Sequence, residues 1–163
     1  IRSQNVYNEG LVLEGVACIS EETHKKMKGT IVLPFDILLN ITGGSIGRCA
    51  IVGHELIEAN INQHVAIIRP AVSEIRKYFH TTLISSYFQK RIESVQTGAG
   101  REGLPKNKMD LMLLPLPPLT EQTAIVERVE ALMESCRALE GEIERAKERA
   151  GQLLQAVLKE AFA

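Results

Sequence analysis

The C-terminal part of this 163-residue chain carries an apolar repeat that limits what it can fold into. From Ile125 to Val157, apolar side chains recur at alternating steps of four and three residues without a break. That spacing places them at the a and d positions of a heptad repeat, on one stripe of an α-helix. The seam consists of Ile125, Val129, Leu132, Cys136, Leu139, Ile143, Ala146, Ala150, Leu153 and Val157. The pattern predicts one long helix over residues 120–163.

A helix of this length spans roughly 60 Å at 1.5 Å per residue, about twice the width of a small domain. We therefore expect the seam to pack against a second helix. Thr120 is the expected N-cap, and Glu121 follows it where the helix dipole favours negative charge. An amphipathic helix that folds back onto its own domain is the alternative interpretation of the same pattern.

Residues 1–119 have a different character, with short apolar runs separated by Gly, Pro and Asn. Runs bounded in this way predict short strands of a compact sheet. The predicted strands cover residues 11–13, 15–19, 30–33, 36–42, 48–52 and 64–69. Pro115, Pro117 and Pro118 exclude a helix from residues 113–119. The predicted fold class is α/β: a compact mixed-sheet domain over residues 1–119, followed by a long C-terminal coiled-coil helix.

Short helices are expected between and after the strands. One covers residues 21–27 with Ser20 as its N-cap, and one or two cover residues 73–96. A flexible Gly-rich loop is expected over residues 97–103. A single turn over residues 107–112 is then expected to precede a last apolar strand.

The cysteines and the apolar runs indicate the cellular compartment of the protein. Cys18, Cys49 and Cys136 are odd in number and far apart, which favours reduced thiols in a cytoplasmic compartment. No apolar run approaches the roughly 20 residues that a membrane-spanning helix needs. The chain begins with Ile1 and has no signal-peptide pattern, so we interpret it as part of a longer protein.

The sequence offers no convincing catalytic or metal site. Residues 43–47 (GGSIG) lack the Lys and Ser or Thr of a phosphate-binding P-loop, so a tight turn between strands is expected there. Asp36 is expected to cap a turn before its strand. The four histidines show no ligand spacing: His24, His54, His64 and His80. We predict no catalytic residue and no metal ligand in this chain.

Polar residues suited to nucleic-acid binding are more numerous. Arg pairs with guanine and Asn or Gln with adenine, whereas Lys binds phosphates. Candidates for base reading are Arg2, Gln4, Asn5, Arg48, Asn60, Asn62 and Gln63, together with Arg101 on the Gly-rich loop. Candidates for phosphate binding are Lys25, Lys26, Lys28, Lys106 and Lys108. Composition alone leaves open that these are ordinary surface charges.

Several ordered motifs resemble the specificity subunits of type I restriction–modification enzymes. The clearest are residues 98–104 (GAGREGL), 114–122 (LPLPPLTEQ) and 125–129 (IVERV). Further upstream, residues 36–40 (DILLN), 42–48 (TGGSIGR) and 60–63 (NINQ) resemble the target-recognition domains of that family. The resemblance covers nearly the whole chain.

The resemblance implies a non-catalytic subunit that recognises duplex DNA. Such subunits hold two recognition domains, each followed by a long helix, and the two helices pair antiparallel and space two half-sites on DNA. Methylation subunits and a restriction subunit assemble on this frame and use S-adenosylmethionine and ATP, so no cofactor is expected in this chain. One such unit is present here, which implies a second recognition unit or a homodimer through the helix. An interaction scaffold that uses only the coiled coil is the alternative function, and an enzyme is the third.

Overall fold

The computed structural model describes residues 1–56, 58–95 and 103–162, and it has a mixed α/β architecture with a long C-terminal helix. The predicted fold class is confirmed. The chain divides into two compact units, residues 1–123 and residues 124–163. The described strands are β1 Val6–Tyr7, β2 Gly10–Leu11, β3 Ile31–Val32, β4 Ile37–Asn40, β5 Cys49–Ile51, β6 Ala59–Asn60 and β7 Val65–Ile68. The described helices are α1 Glu21–Lys26, α2 Arg76–Ile84, α3 Ser86–Val95, α4 Lys106–Met109 and α5 Leu119–Ala161.

The strands form three small sheets rather than one. β1 pairs with β2, β3 pairs with β6, and β4 lies between β5 and β7. Every pairing among the described strands is antiparallel. In the three-stranded sheet, Leu38 lies opposite Ala50 of β5 and Ile67 of β7. β4 is therefore the strand around which the first unit is built.

Both faces of β4 are buried, because alternate side chains of a strand point to opposite sides. Leu38 belongs to a core with Val6, Val32 and Val65. On the other face, Ile37 and Leu39 belong to a second core. That second core also contains Cys49, Leu83, Phe88, Ile92 and Leu104. A strand buried on both faces is a rigid support for the loops that leave its two ends.

Most of the predicted helices are confirmed. Ser20 caps α1, with its hydroxyl oxygen accepting a hydrogen bond from the Thr23 backbone N–H at 3.3 Å. Residues 73–96 contain two helices, which separate at Ser85 where the backbone is extended. The Ser85 hydroxyl donates to the Thr82 carbonyl at 2.6 Å and accepts from the Phe88 N–H at 3.3 Å. This residue both ends α2 and starts α3.

Two predicted strands are wrong. Residues 15–19, all of which the structure describes, contain a turn at Gly15 with φ +65° and then irregular backbone. The last apolar strand expected after residues 107–112 is not found, since residues 113–118, also fully described, carry neither helix nor strand and their prolines have no N–H for a ladder. Apolar runs alone do not distinguish a strand from an extended segment that packs by its side chains.

The start of α5 also differs from the prediction. The helix begins at Leu119, and the Pro118 carbonyl accepts from the Glu121 and Gln122 N–H groups at 3.0 Å each. The predicted N-cap at Thr120 is therefore wrong, because the helix already includes this residue. No helix in the described part of the chain is long and apolar enough to cross a membrane.

The predicted role of Asp36 is confirmed. Its carboxylate accepts from the Leu33 N–H at 2.7 Å, within the turn before β4. Arg69, at the end of β7, donates to both carboxylate oxygens of Asp36 at 2.6 and 2.7 Å. This hydrogen bonding raises the pKa of Arg69. The bidentate pair fastens the beginning of β4 to the end of β7.

Candidate nucleic-acid interface

The C-terminal end of β4 brings together loops that are distant in the sequence. The Asn40 side chain donates from Nδ2 to the Ser3 carbonyl at 2.8 Å and to the Ser45 hydroxyl at 3.1 Å. These bonds hold the 3-10 turn Ser3–Asn5 beside the 3-10 turn Gly43–Ser45. Gln4 is exposed on the first turn, and Arg48 is exposed after the second.

The loop before β7 joins the same end of the strand. Thr42 Oγ1 and His64 Nδ1 form a hydrogen bond at 2.6 Å, and the Ile41 N–H donates to the His64 carbonyl at 3.0 Å. Asn62 shapes this loop, since its Oδ1 accepts from the His64 N–H at 3.1 Å. Gln63 lies between them and is exposed.

We call the resulting set of side chains the β4-end surface. Its members are Arg2, Gln4, Arg48, Asn62 and Gln63. Arg2 and Asn62 are half-buried, and with Gln63 they line a cavity of about 1010 Å³ whose other walls are mainly apolar. Two guanidinium groups and three carboxamides are suited to hydrogen bonding with base edges.

The turn that carries Arg48 is locked in place. Gly43 and Gly47 have φ of +76° and +87°, a region that favours glycine. The Gln89 side chain of α3 donates from Nε2 to the Gly47 carbonyl at 3.0 Å and to the Leu83 carbonyl at 2.7 Å. A Cβ atom at position 47 would collide with this side chain. The Gly43–Gly47 turn is thus the tight turn expected from the sequence, and it is braced by a helix.

Arg48 is oriented by an aromatic neighbour. Its guanidinium carbon lies 5.1 Å from the centroid of the Tyr7 ring. This distance is within the range of a cation–π contact, which holds the long side chain without neutralising its charge. Tyr7 is itself exposed at the surface. The pair offers a positive charge and a ring face, both of which nucleic-acid interfaces use.

The segment before α4 approaches the same end of β4. Thr42 and Gly103 form an isolated antiparallel bridge, and the Leu104 N–H donates to the Ile41 carbonyl at 2.8 Å. Lys106 and Lys108 follow on α4 and are exposed, with Lys106 paired to Asp110 at 2.7 Å. Arg101, and with it most of the predicted Gly-rich loop, lies outside the described residues.

The lysines of the α1 region are partly balanced by acids. Lys25 and Lys26 pair with Glu21 and Glu22 at 2.5 and 2.6 Å, one helical turn away. Lys28 is exposed just after the helix. These exposed pairs contribute little stability, and they dilute the positive potential of α1.

Two asparagines that residue type suggested for base reading are buried instead. Asn5 is 2% exposed, and its side chain bonds to the Arg2 N–H at 3.0 Å and the Val12 carbonyl at 3.0 Å. Asn60 is 7% exposed and donates to the Met27 carbonyl at 3.0 Å and the Thr30 hydroxyl at 2.9 Å. Both amides hold loops together, so we leave Asn5 and Asn60 out of the interface.

Sequence reasoning missed Tyr7, Thr42 and His64, which shape this surface. Their contacts join segments up to 41 residues apart, as between Tyr7 and Arg48, so no local spacing indicates them. The sequence contained one indication of Thr42 and His64: Thr42 is the last residue of one predicted strand, and His64 is the first residue of another.

The described residues also include a few buried reactive groups outside the β4-end surface. In the described residues, no group of three or more His, Cys, Asp and Glu side chains could hold a metal ion. Burial raises the pKa of the Cys49 thiol to about 12, so this thiol stays protonated and unreactive. Burial lowers the pKa of His80, whose Nε2 lies 3.0 Å from the Cys49 carbonyl oxygen.

Comparison with known proteins identifies the class of the chain. The family model of the type I restriction modification DNA specificity domain matches residues 2–148. The specificity subunit of the type I restriction enzyme EcoBI from Escherichia coli is 34% identical over 157 residues, which are 95% of this chain and 33% of that protein. The EcoKI specificity subunit from Escherichia coli strain K12 is 24% identical over 161 residues, which are 97% of this chain and 34% of that protein.

A further relative comes from another organism. The putative specificity subunit of the type I restriction enzyme MjaX from Methanocaldococcus jannaschii is 30% identical over 135 residues, 81% of this chain and 30% of that protein. The chain belongs to the family of type I restriction modification DNA specificity domains. It spans about a third of the length of these curated relatives.

Family membership settles two predictions. The resemblance to type I specificity subunits is confirmed over nearly the whole chain. The matching family model is that of a DNA specificity domain, which confirms the prediction of a DNA-recognition module.

Proposed function

We propose that this chain is one recognition unit of a type I specificity subunit and reads duplex DNA with its β4-end surface. The observation that carries the proposal is the meeting of Arg2, Gln4, Arg48, Asn62 and Gln63 around the end of a single buried strand. These residues come from three separate segments. Their convergence in a domain of a DNA-specificity family favours recognition over a scaffold without DNA reading.

Different residues would serve affinity and specificity. Arg48 and Gln63 are exposed on braced loops, so they are suited to base edges in the major groove. Lys106 and Lys108 would bind the phosphate backbone beside them, and Arg101 upstream would enter a groove. Lys25, Lys26 and Lys28 would add further phosphate contacts from the α1 region.

The proposal extends to the rest of the assembly. Residues 1–119 would be the recognition domain, and residues 120–163 would pair antiparallel with a second copy or an equivalent helix. Methylation and restriction subunits would assemble on this frame, in the cytoplasm, and would use S-adenosylmethionine and ATP. The exposed apolar seam of α5 and the family match support this arrangement.

Duplex binding at varied salt tests the recognition role. We expect the affinity to fall steeply as salt rises, because Lys and Arg displace counterions from DNA. The double change Arg101→Ala and Lys106→Ala should weaken binding at low salt and flatten the salt dependence by about one phosphate contact. Fluorescence anisotropy with a labelled duplex measures both quantities.

Replacing Arg145 and Lys159 with alanine on α5 removes the same charge from the helix and is the matched control. Equal affinity of the wild-type chain and the Arg101/Lys106 variant would exclude this loop from the interface. Binding with no salt dependence at all would favour the scaffold interpretation.

A further inference from the structure

His64, in the loop before β7, is held in place by three hydrogen bonds. Its backbone N–H donates to Asn62 Oδ1 at 3.1 Å, and its carbonyl accepts from the Ile41 N–H at 3.0 Å. Its ring nitrogen Nδ1 forms a hydrogen bond with Thr42 Oγ1 at 2.6 Å. Both the backbone and the ring of this half-buried residue are therefore fixed relative to the end of β4.

The other ring nitrogen of His64 contacts the side chain of Gln63. His64 Nε2 lies 3.3 Å from Nε2 of Gln63, a residue that is exposed. A carboxamide nitrogen can only donate, so His64 Nε2 is the acceptor in this contact. The ring hydrogen then lies on Nδ1, from which it is donated to Thr42 Oγ1. The two contacts together select one tautomer of a neutral imidazole.

We infer that His64 is a positioning residue for base reading: it fixes the orientation of the Gln63 carboxamide and thereby the base that Gln63 selects. The inference rests on the DNA recognition proposed above and concerns one residue of the same surface. His64 acts only through Gln63 and makes no contact with the DNA itself.

The fixed carboxamide presents a defined pair of hydrogen-bonding groups. One N–H of Gln63 is donated to His64, so the second N–H and Oε1 remain for a base. A donor beside an acceptor matches adenine, whose N7 accepts and whose N6 donates in the major groove. Guanine has acceptors at both places, N7 and O6, so its O6 would meet Oε1 without a hydrogen between them. We therefore expect Gln63 to prefer adenine over guanine.

His64 excludes the reversed orientation of this carboxamide. Half a turn about the last side-chain bond of Gln63 would place Oε1 opposite the lone pair of His64 Nε2, and two acceptors repel each other. Without the imidazole, both orientations are open to the exposed side chain, and the reversed one can donate to guanine O6. Loss of His64 should therefore relax the base preference and leave binding to the phosphate backbone intact.

A panel of duplexes tests the inference on the full chain. A preferred duplex is changed at one base pair at a time, and Gln63→Ala identifies the pair whose preference depends on Gln63. At that pair the wild-type chain should prefer adenine over guanine, and His64→Ala should reduce the ratio of the two affinities by about fivefold or more. The salt dependence of binding should stay the same, because no phosphate contact is lost.

Combining the two changes separates positioning from direct contact. In the Gln63→Ala chain, adding His64→Ala should have no further effect on the base preference, because His64 then has no carboxamide to orient. A further loss of preference at the same pair would show that His64 itself reads the base, and this result would overturn the inference.

Thr42 supplies a conservative control. Thr42→Ser keeps the hydroxyl that holds His64 Nδ1 and should keep the preference for adenine. Thr42→Val removes the hydroxyl at nearly the same volume and should lower the preference almost as much as His64→Ala does. Equal preferences in the serine and valine variants would contradict the role of the imidazole. Circular dichroism of each variant shows whether the fold is retained.

The tautomer of His64 can be measured without DNA. Nuclear magnetic resonance of the full chain, isotope-labelled at its histidine nitrogens and kept at alkaline pH, distinguishes the two ring nitrogens, and His64→Ala assigns their signals. We expect hydrogen on Nδ1 and none on Nε2, whereas hydrogen on Nε2 would overturn the inference. A base preference that His64→Ala leaves unchanged overturns this inference alone. A wild-type chain without preference at any base pair overturns the recognition proposal with it.

Discussion

Two arginine–aromatic pairs lie at opposite ends of β4, and they differ in what surrounds them. Arg48 contacts Tyr7 near the C-terminal end of the strand, among the polar side chains of the β4-end surface. Arg76 contacts Phe35 in the turn before the strand, 4.4 Å from the ring centroid. The chemistry of the two pairs is the same, so a comparison of them isolates the effect of location.

Arg48→Ala should weaken binding to the preferred duplex by about 1–3 kcal/mol, the value typical of an arginine that contacts a base. Arg76→Ala removes an equivalent pair and should leave the affinity nearly unchanged. Isothermal titration calorimetry with one duplex measures the DNA affinity of both variants. Equal losses for the two would show that Arg48 acts only through net charge.

His80 makes the stability of the first unit depend on pH. Burial lowers the pKa of this imidazole below its ordinary value of 6.5, so the folded state keeps it neutral where the unfolded chain already binds a proton. The unfolding free energy should therefore fall as pH decreases below about 6.5. Urea denaturation at several pH values measures this slope, and His80→Gln should reduce it. An unchanged slope in the variant would assign the pH dependence to other groups.

At the scale of elements, the turn between β4 and β5 sets the position of Arg48. Gly47 has a φ of +87° and lies directly under the Gln89 side chain, whereas Gly44 in the same turn has open space around its Cα. Gly47→Ala should destabilise the fold by about 1–2 kcal/mol or more, because it combines left-handed backbone with a collision. Gly44→Ala is the matched control and should have little effect.

Thermal unfolding compares these two variants, and a duplex titration shows whether the turn also affects DNA binding. We expect Gly47→Ala to lower the affinity as well as the melting temperature. A fully stable Gly47→Ala variant would mean that Gln89 and the turn adjust without cost.

Some elements could be predicted from the sequence because their signals are local. The 4-3 repeat indicated α5, Ser20 indicated the start of α1, and residues 43–47 indicated a tight turn. Residues 15–19 and 113–118 were misread as strands, since an apolar run does not show whether its backbone finds a partner. The burial of Asn5 and Asn60 could not be predicted, because asparagine is mostly exposed and the exceptions depend on contacts between distant segments. The convergence at the end of β4 depends on contacts between distant segments, and these follow only from the fold.

At the scale of the whole molecule, the proposed recognition domain and the sequence after it have opposite charge balances. Residues 1–119 hold 13 basic and 11 acidic side chains, and residues 120–163 hold 6 basic and 9 acidic ones. A slightly basic domain attracts the DNA backbone, whereas an acidic helix is repelled by it. These charges are therefore consistent with a domain that contacts DNA and a helix that contacts protein. A two-fold pair of such chains would present two identical β4-end surfaces, so its preferred sites should be related by inversion.

Selection from a randomised duplex library tests the central claim most directly. The full chain is incubated with the library at moderate salt, bound duplexes are recovered and sequenced, and the Arg48→Ala variant is treated in parallel. We predict enrichment of one short sequence, repeated in inverted orientation at a fixed spacing, with weaker enrichment for the variant. Bound duplexes with no common sequence would contradict the claim that this chain reads DNA.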